Sequence, residues 1–178
     1  GTLAFSEGKP GFAVTIALVS KSGTPIIGVV YDPVEDNLYH AIKSKGTFLN
    51  AEPLTVKAPS IKKKITLYAD RSLKQAENYL QLEDSFDIEF SGGAVMNSIN
   101  VLSNQYACYF KYPKEQLGGC AIWDLAAISL ILKESKGVVT DINGKDLTYN
   151  NPDSIYFNHT GLMVCSSKEL LKTVKNLI

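Results

Sequence analysis

The candidate strands between Phe12 and Asn50 are joined by connections so short that they can only run antiparallel. Phe12 to Val19 and Pro25 to Tyr31 are rich in strand formers, with Lys21-Ser22-Gly23-Thr24 as the turn between them. Asp32-Pro33 and Glu35-Asp36-Asn37 supply the next turn, followed by a third strand from Leu38 to Ile42. Thr47-Phe48-Leu49 makes a fourth, set between turns at Lys45-Gly46 and Asn50-Ala51, and Pro53 to Val56 is a candidate for one more short strand. A parallel pair would need a crossover of roughly a dozen residues, so this segment reads as a meander.

Beyond Lys62-Lys63-Lys64 the rhythm changes to strand and helix in alternation. Strands are expected at Ile65 to Ala69, Ile88 to Phe90, Tyr106 to Tyr112, Val138 to Thr140 and Leu162 to Cys165. Helices are expected at Ser72 to Leu82, at Ala94 to Leu102 after Ser91-Gly92-Gly93, and at Lys168 to Ile178. Ile122 to Ser135 is apolar nearly all round, from Trp123 and Leu125 through Ala126, Ala127, Ile128, Leu130, Ile131 and Leu132, which marks a buried helix; Gly137 stops it. A meander followed by this alternation argues a layered α/β architecture of the α+β kind, with a boundary near residues 57 to 64. Residues 1–60 are then part of an N-terminal antiparallel-sheet lobe, and residues 61–178 a smaller C-terminal α/β lobe.

Charge narrows the partners. Eighteen Lys+Arg balance 18 Asp+Glu, which leaves no footprint for nucleic acid or an anionic membrane surface. The Lys62 run reads as a solvated loop. Arg71 is the sole arginine, so a clamp of several guanidiniums is excluded, and any phosphate bound here must rely on metal ions, helix N-termini or lysine. Cys108, Cys120 and Cys165 are odd in number and widely spaced, as expected of reduced thiols in a cytoplasmic protein. No apolar run approaches the roughly 18 residues of a membrane span, and a cysteine-based phosphatase is disfavoured because no C-x₅-R pattern occurs.

Two places carry chemistry. Asp124 is an acid at the start of an otherwise apolar helix: it is either a helix-start carboxylate stabilised by the macrodipole or a fixed oxygen donor for a hard cation. Ser91-Gly92-Gly93-Ala94 is either a plain turn or a loop that offers backbone N–H groups to an anion or sugar, and Gly118-Gly119 reads likewise.

Read together, these fragments resemble the inositol monophosphatase family of metal-dependent, lithium-sensitive phosphatases, over essentially the whole chain. Gly1-Thr2, Phe5, Gly8, Phe12-Ala13-Val14-Thr15-Ile16-Ala17 and Gly28-Val29-Val30-Tyr31-Asp32-Pro33 match, in order, the family's D-P-[IL]-D-G-T segment, the aromatic and glycine after it, and the strands beyond. Trp123-Asp124-Leu125-Ala126-Ala127, Glu134-Ser135-Lys136-Gly137 and Asp141-Ile142-Asn143-Gly144 match the second signature, and Gly92-Gly93-Ala94 looks like the family's substrate loop.

The resemblance implies the family's sugar-phosphatase fold and Mg²⁺-dependent hydrolysis of a small phosphate monoester. It makes Asp124 a Mg²⁺ ligand and catalytic residue, and Thr2 the group that orients the attacking water, with Gly1 beside it at the phosphate-receiving turn. Gly93 and Ala94 become substrate contacts, and Glu115 is the acid nearest the place where the family has an inositol-contacting carboxylate and this chain has Leu117. A homodimer is implied. The family's other metal-binding acids would precede Gly1, so activity is expected only with an N-terminal segment of the same protein. The alternatives are a 3′(2′),5′-bisphosphate nucleotidase and a non-catalytic binding module.

Overall fold

The structure, a computed structural model, describes residues 1–56, 64–103 and 105–178. The boundary expected near residues 57 to 64 therefore lies almost wholly outside the described residues, as do Lys62 and Lys63; the Lys64 ammonium donates to the Glu83 carbonyl at 2.8 Å.

A short helix α1 (Thr2–Ser6) precedes an antiparallel sheet of five strands in sequence order: β1 (Val14–Val19), β2 (Pro25–Asp32), β3 (Asn37–Ile42), β4 (Thr47–Leu49) and β5 (Glu52–Pro53). The register pairs Ile16 with Val29 and Val29 with His40, so residues of one parity share a face across three strands. One face is packed. On the other, Val14, Ile16, Leu18, Ile27 and Ile42 are exposed, Ile16 by 65%.

A second five-stranded sheet, in the order β7-β6-β8-β10-β9, is built from β6 (Ile65–Tyr68), β7 (Phe86–Glu89), β8 (Ala107–Lys111), β9 (Val138–Thr140) and β10 (Leu162–Cys165). Strand β6 runs parallel to both β7 and β8, while β10 is antiparallel to β8 and β9. Both faces of this sheet are covered, which is why β8 and β10 read as unbroken apolar runs. Tyr109, Leu162 and Val164 enter a core with α3 (Ala94–Asn100) and α4 (Ile122–Glu134). Cys108, Phe110, Met163 and Cys165 enter another with α2 (Tyr79–Ser85) and α5 (Lys168–Lys175).

Helix α4 is the layer between the sheets. Leu125, Ala126, Ala127 and Ile128 share its core with Val30 and Ala41 of the first sheet and with Val139 and Leu162 of the second. Its C-terminal end is pinned to the β3–β4 turn: Thr47 Oγ1 donates to the Ile131 carbonyl at 2.6 Å, and the Glu134 carboxylate accepts from the Ser44 and Gly46 N–H groups at 2.8 and 2.9 Å.

Three expectations are corrected. Trp123 is not part of the buried surface of α4: in the first turn of the helix, it is 56% exposed and lies edge-on to Tyr156. The helix expected from Ser72 to Leu82 is two pieces, a 3₁₀ turn at Arg71–Gln75 and α2, separated by an extended Ala76; the break lets Leu73 and Leu82 reach one core. At the end of α4 the left-handed residue is Lys136 (φ 70°), with Lys136 N–H bonding to Lys133 O and Gly137 N–H to Leu132 O. Gly137 is needed for space, since a Cβ there would lie 3.0 Å from the Cys165 carbonyl oxygen.

Candidate active site

Three parallel strands, β7, β6 and β8, end on one edge of the second sheet, and the residues at those carboxyl ends make the site. In such sheets ligands sit beyond the C-terminal ends of the strands. Ser91-Gly92-Gly93 follows β7, Asp70 follows β6, and Lys111 ends β8.

Two clefts meet there. The larger, about 810 Å³, is lined by Gly1, Thr2, Asp32, Gly92 and Gly93 among others. The smaller, about 470 Å³, is lined by Tyr112, Lys114, Gly119, Cys120 and Asn158 among others. Asp70, Ser72 and Lys111 line both.

The Gly pair allows two distant segments to touch. Gly92 sits at φ 143°, and a Cβ on it would lie 2.5 Å from Gly11 Cα; a Cβ on Gly93 would lie 2.7 Å from the Gly1 nitrogen. Gly93 N–H donates to the Gly11 carbonyl at 3.1 Å, so this amide is spent on holding the N-terminal segment against the loop. Ala94 opens α3 directly after it.

Asp70 ties the strand ends together. Its Oδ1 accepts from Asn97 Nδ2 at 3.0 Å, and its Oδ2 from the Tyr109 hydroxyl at 3.1 Å and the Lys111 ammonium at 2.8 Å. Asn97, fully buried, also donates to the Gly92 carbonyl and accepts from Ser91 Oγ, so the glycine loop and Lys111 are fixed through one carboxylate. Burial opposes the charge on Lys111, but the Asp70 carboxylate, helped by Asp124, outweighs it and holds this ammonium above the ordinary lysine range. Burial also pushes the Cys120 thiol up to about 12, against the opposing pull of Lys111.

The residues singled out in the sequence fall into two groups. Gly1, Thr2 and Gly93 are brought together in the larger cleft. Ala94, Asp124 and Glu115 are not among the residues lining either cleft. Glu115 is exposed on the loop before Cys120. Asp124 is half-buried in the first turn of α4, where its Oδ2 accepts from Ala121 N–H at 2.8 Å, the helix-start role, while its charge reaches Lys111. Sequence reasoning missed Asp70, Asn97 and Lys111. The available signal was position: a charged residue directly after the apolar run of β6, and another at the end of β8.

A clustered Mg²⁺ site does not fit the residues present. Among the described residues no three His, Cys, Asp or Glu side chains are grouped to hold a metal, Asp70 already accepts from three donors, and one oxygen of Asp124 is occupied by its cap. Near-octahedral coordination needs more oxygens than the described residues bring together.

The family model described as the inositol monophosphatase family matches residues 1–174. The Nus factor SuhB of Haemophilus influenzae is 33% identical over 152 residues, covering 80% of this chain and 54% of the relative. Inositol monophosphatase 2 of Saccharomyces cerevisiae is 30% identical over 160 residues, covering 80% of this chain and 52% of the relative. The chain thus spans about half the length of the curated relatives it matches. In fold it is similar to inositol monophosphatase from Anabaena, with a TM-score of 0.78 at 22% identity, covering 99% of this chain and 67% of that one. The extragenic suppressor protein suhB of Bartonella henselae gives 0.75 at 26% identity, covering 99% and 65%.

Proposed function

The chain belongs to the inositol monophosphatase family, and from that premise we propose that it forms the cleft of a Mg²⁺-dependent hydrolase of small phosphate monoesters. The family is one of phosphatases and is generally metal-dependent. The observation that carries the reading is the meeting of Thr2 with Gly93 in one cleft, across half of the sequence, beside a lysine.

Hydrolysis of a phosphate monoester needs a water placed in line and neutralisation of the phosphoryl oxygens. In this reading the Thr2 hydroxyl, in the lining of the larger cleft, orients the water. The backbone at Gly1, Gly93 and Ala94 shapes the space for the ester. If a metal centre is bound, Asp124 would supply one carboxylate oxygen to it, and the other ligands would have to be drawn from outside residues 1–178. Glu115 lies on a loop that reaches the substrate only if the loop folds inward. The enzyme is read as cytoplasmic and homodimeric; among the described residues no helix is long and apolar enough to cross a membrane.

A second reading, a non-catalytic binding module, is favoured by one observation, the lack of any three-ligand group among the described residues. The test is a Mg²⁺ titration of the full-length polypeptide and of residues 1–178 with inositol 1-phosphate, adenosine 3′,5′-bisphosphate, fructose 1,6-bisphosphate and β-glycerophosphate. Turnover by the full-length polypeptide alone is expected. Turnover by residues 1–178 would refute the need for outside ligands, and none by either would favour the binding module. Preference for the adenosine compound would identify a bisphosphate nucleotidase.

A further inference from the structure

We propose that Lys111 is an oxyanion receptor of this site, its ammonium binding a phosphoryl group where the two clefts meet. The proposal rests on the phosphatase reading only for the identity of the anion.

An ammonium has three N–H donors. The ion pair with Asp70 at 2.8 Å uses one, and no other acceptor for Lys111 Nζ is found among the described residues, although the side chain is only 29% exposed. A partly buried cation that lines two clefts and keeps donors beyond its ion pair can give them to an anion in place of water, as charge-assisted hydrogen bonds. The position suits that purpose: Lys111 lines both clefts, so a tetrahedral oxyanion beside Thr2 and Gly93 and the rest of its ester can lie on either side of one ammonium.

The other cations are placed differently. Arg71 and Lys9 reach the larger cleft, but both are exposed and both pair with Glu7, at 3.6 and 2.9 Å. Lys114 lines only the smaller cleft. Nor do the carboxylates of this chain gather a metal cluster among the described residues. Among the described residues that line the clefts, Lys111 is therefore the partly buried positive charge offered to a phosphate. Asp70 fixes its position and also competes with the anion for it. Asn97 and Tyr109 hold Asp70 in turn, so the ammonium is presented in one place with little conformational freedom to lose on binding.

The competition gives the test its sign. Orthophosphate and β-glycerophosphate are titrated by calorimetry into the full-length protein in EDTA, which removes any metal contribution. Saturable binding of both is expected. Lys111→Met should weaken it by about tenfold or more, the loss of a charge-assisted hydrogen bond, with cooperative melting retained. Asp70→Asn should tighten it, since the amide keeps acceptor and shape but drops the competing charge. Unchanged affinity in Lys111→Met, no saturable binding by the wild type, or weaker binding in Asp70→Asn overturns the proposal. Should Lys111→Met not fold, Lys111→Arg decides: binding kept within about threefold supports a charge-based receptor, and its loss overturns it. Phosphate binding without turnover of any ester would sink the hydrolase reading and leave Lys111 standing.

Discussion

Gly28 of β2 and Ala127 of α4 meet backbone to backbone: a Cβ on Gly28 would lie 2.7 Å from the Ala127 carbonyl oxygen and 3.0 Å from its Cα. The helix between the two sheets lies this close because both contact residues are small. Gly28→Ala should push α4 off the first sheet and destabilise the fold by about 1–3 kcal/mol, the range for overpacking a filled interior. A denaturation midpoint equal to wild type would show that the helix lifts at no cost.

Asp124→Asn is expected to abolish most activity of the full-length protein while the fold stays in place. The amide oxygen can still accept from Ala121 N–H, so the helix start survives, but a neutral amide is a poor Mg²⁺ ligand. Activity within about threefold of wild type at saturating Mg²⁺ would end the assignment of Asp124 to the metal centre.

The three thiols should be inert in the native state. Cys108, Cys120 and Cys165 are buried, and burial raises the pKa of each, Cys120 to about 12. At pH 8 the Cys120 thiolate fraction is then on the order of 10⁻⁴, and the thiolate is the reactive form. Reaction with an aromatic disulfide reagent should await unfolding; a fast native-state phase would show that Cys120 is reactive from the smaller cleft it lines.

Lys111 gives alkaline stability a definite sign. Its folded pKa lies above the ordinary lysine value, so the native state holds this proton more tightly than the unfolded chain. The ion pair's contribution is full at neutral pH and is lost as pH rises from the ordinary lysine value through the folded one. Stability curves of wild type and Lys111→Met, measured by urea denaturation, should converge in that window; a gap that stays constant through it would contradict the assignment.

The open face of the first sheet should drive association. Val14, Ile16 and Leu18 stand exposed along one edge strand, and an apolar patch of this kind is an interaction surface. Residues 1–178 alone are expected to self-associate at micromolar concentration, and Ile16→Glu with Leu18→Glu to reduce it. Light scattering that finds the unsubstituted chain monomeric would count against both the sticky face and the proposed homodimer.

Much of this protein can be read from local pattern. Strand formers separated by two- to six-residue turns determined the meander, and the apolar circumference of residues 122–135 determined a buried helix, because both signals are written within one element. The motif matches singled out Thr2, Gly93 and Asp124; the structure sets Thr2 and Gly93 in one cleft and leaves Asp124 out of the lining of both. Tertiary structure alone decided what those elements touch. It turned Trp123 outward, spent the Gly93 amide on Gly11, and brought Asp70, Asn97 and Lys111 from three segments into one network around the glycine loop. Each of the three is ordinary in its own stretch of sequence. Their meaning is a matter of distance, and distances between residues far apart in the chain are set by how the parallel strands align their carboxyl ends.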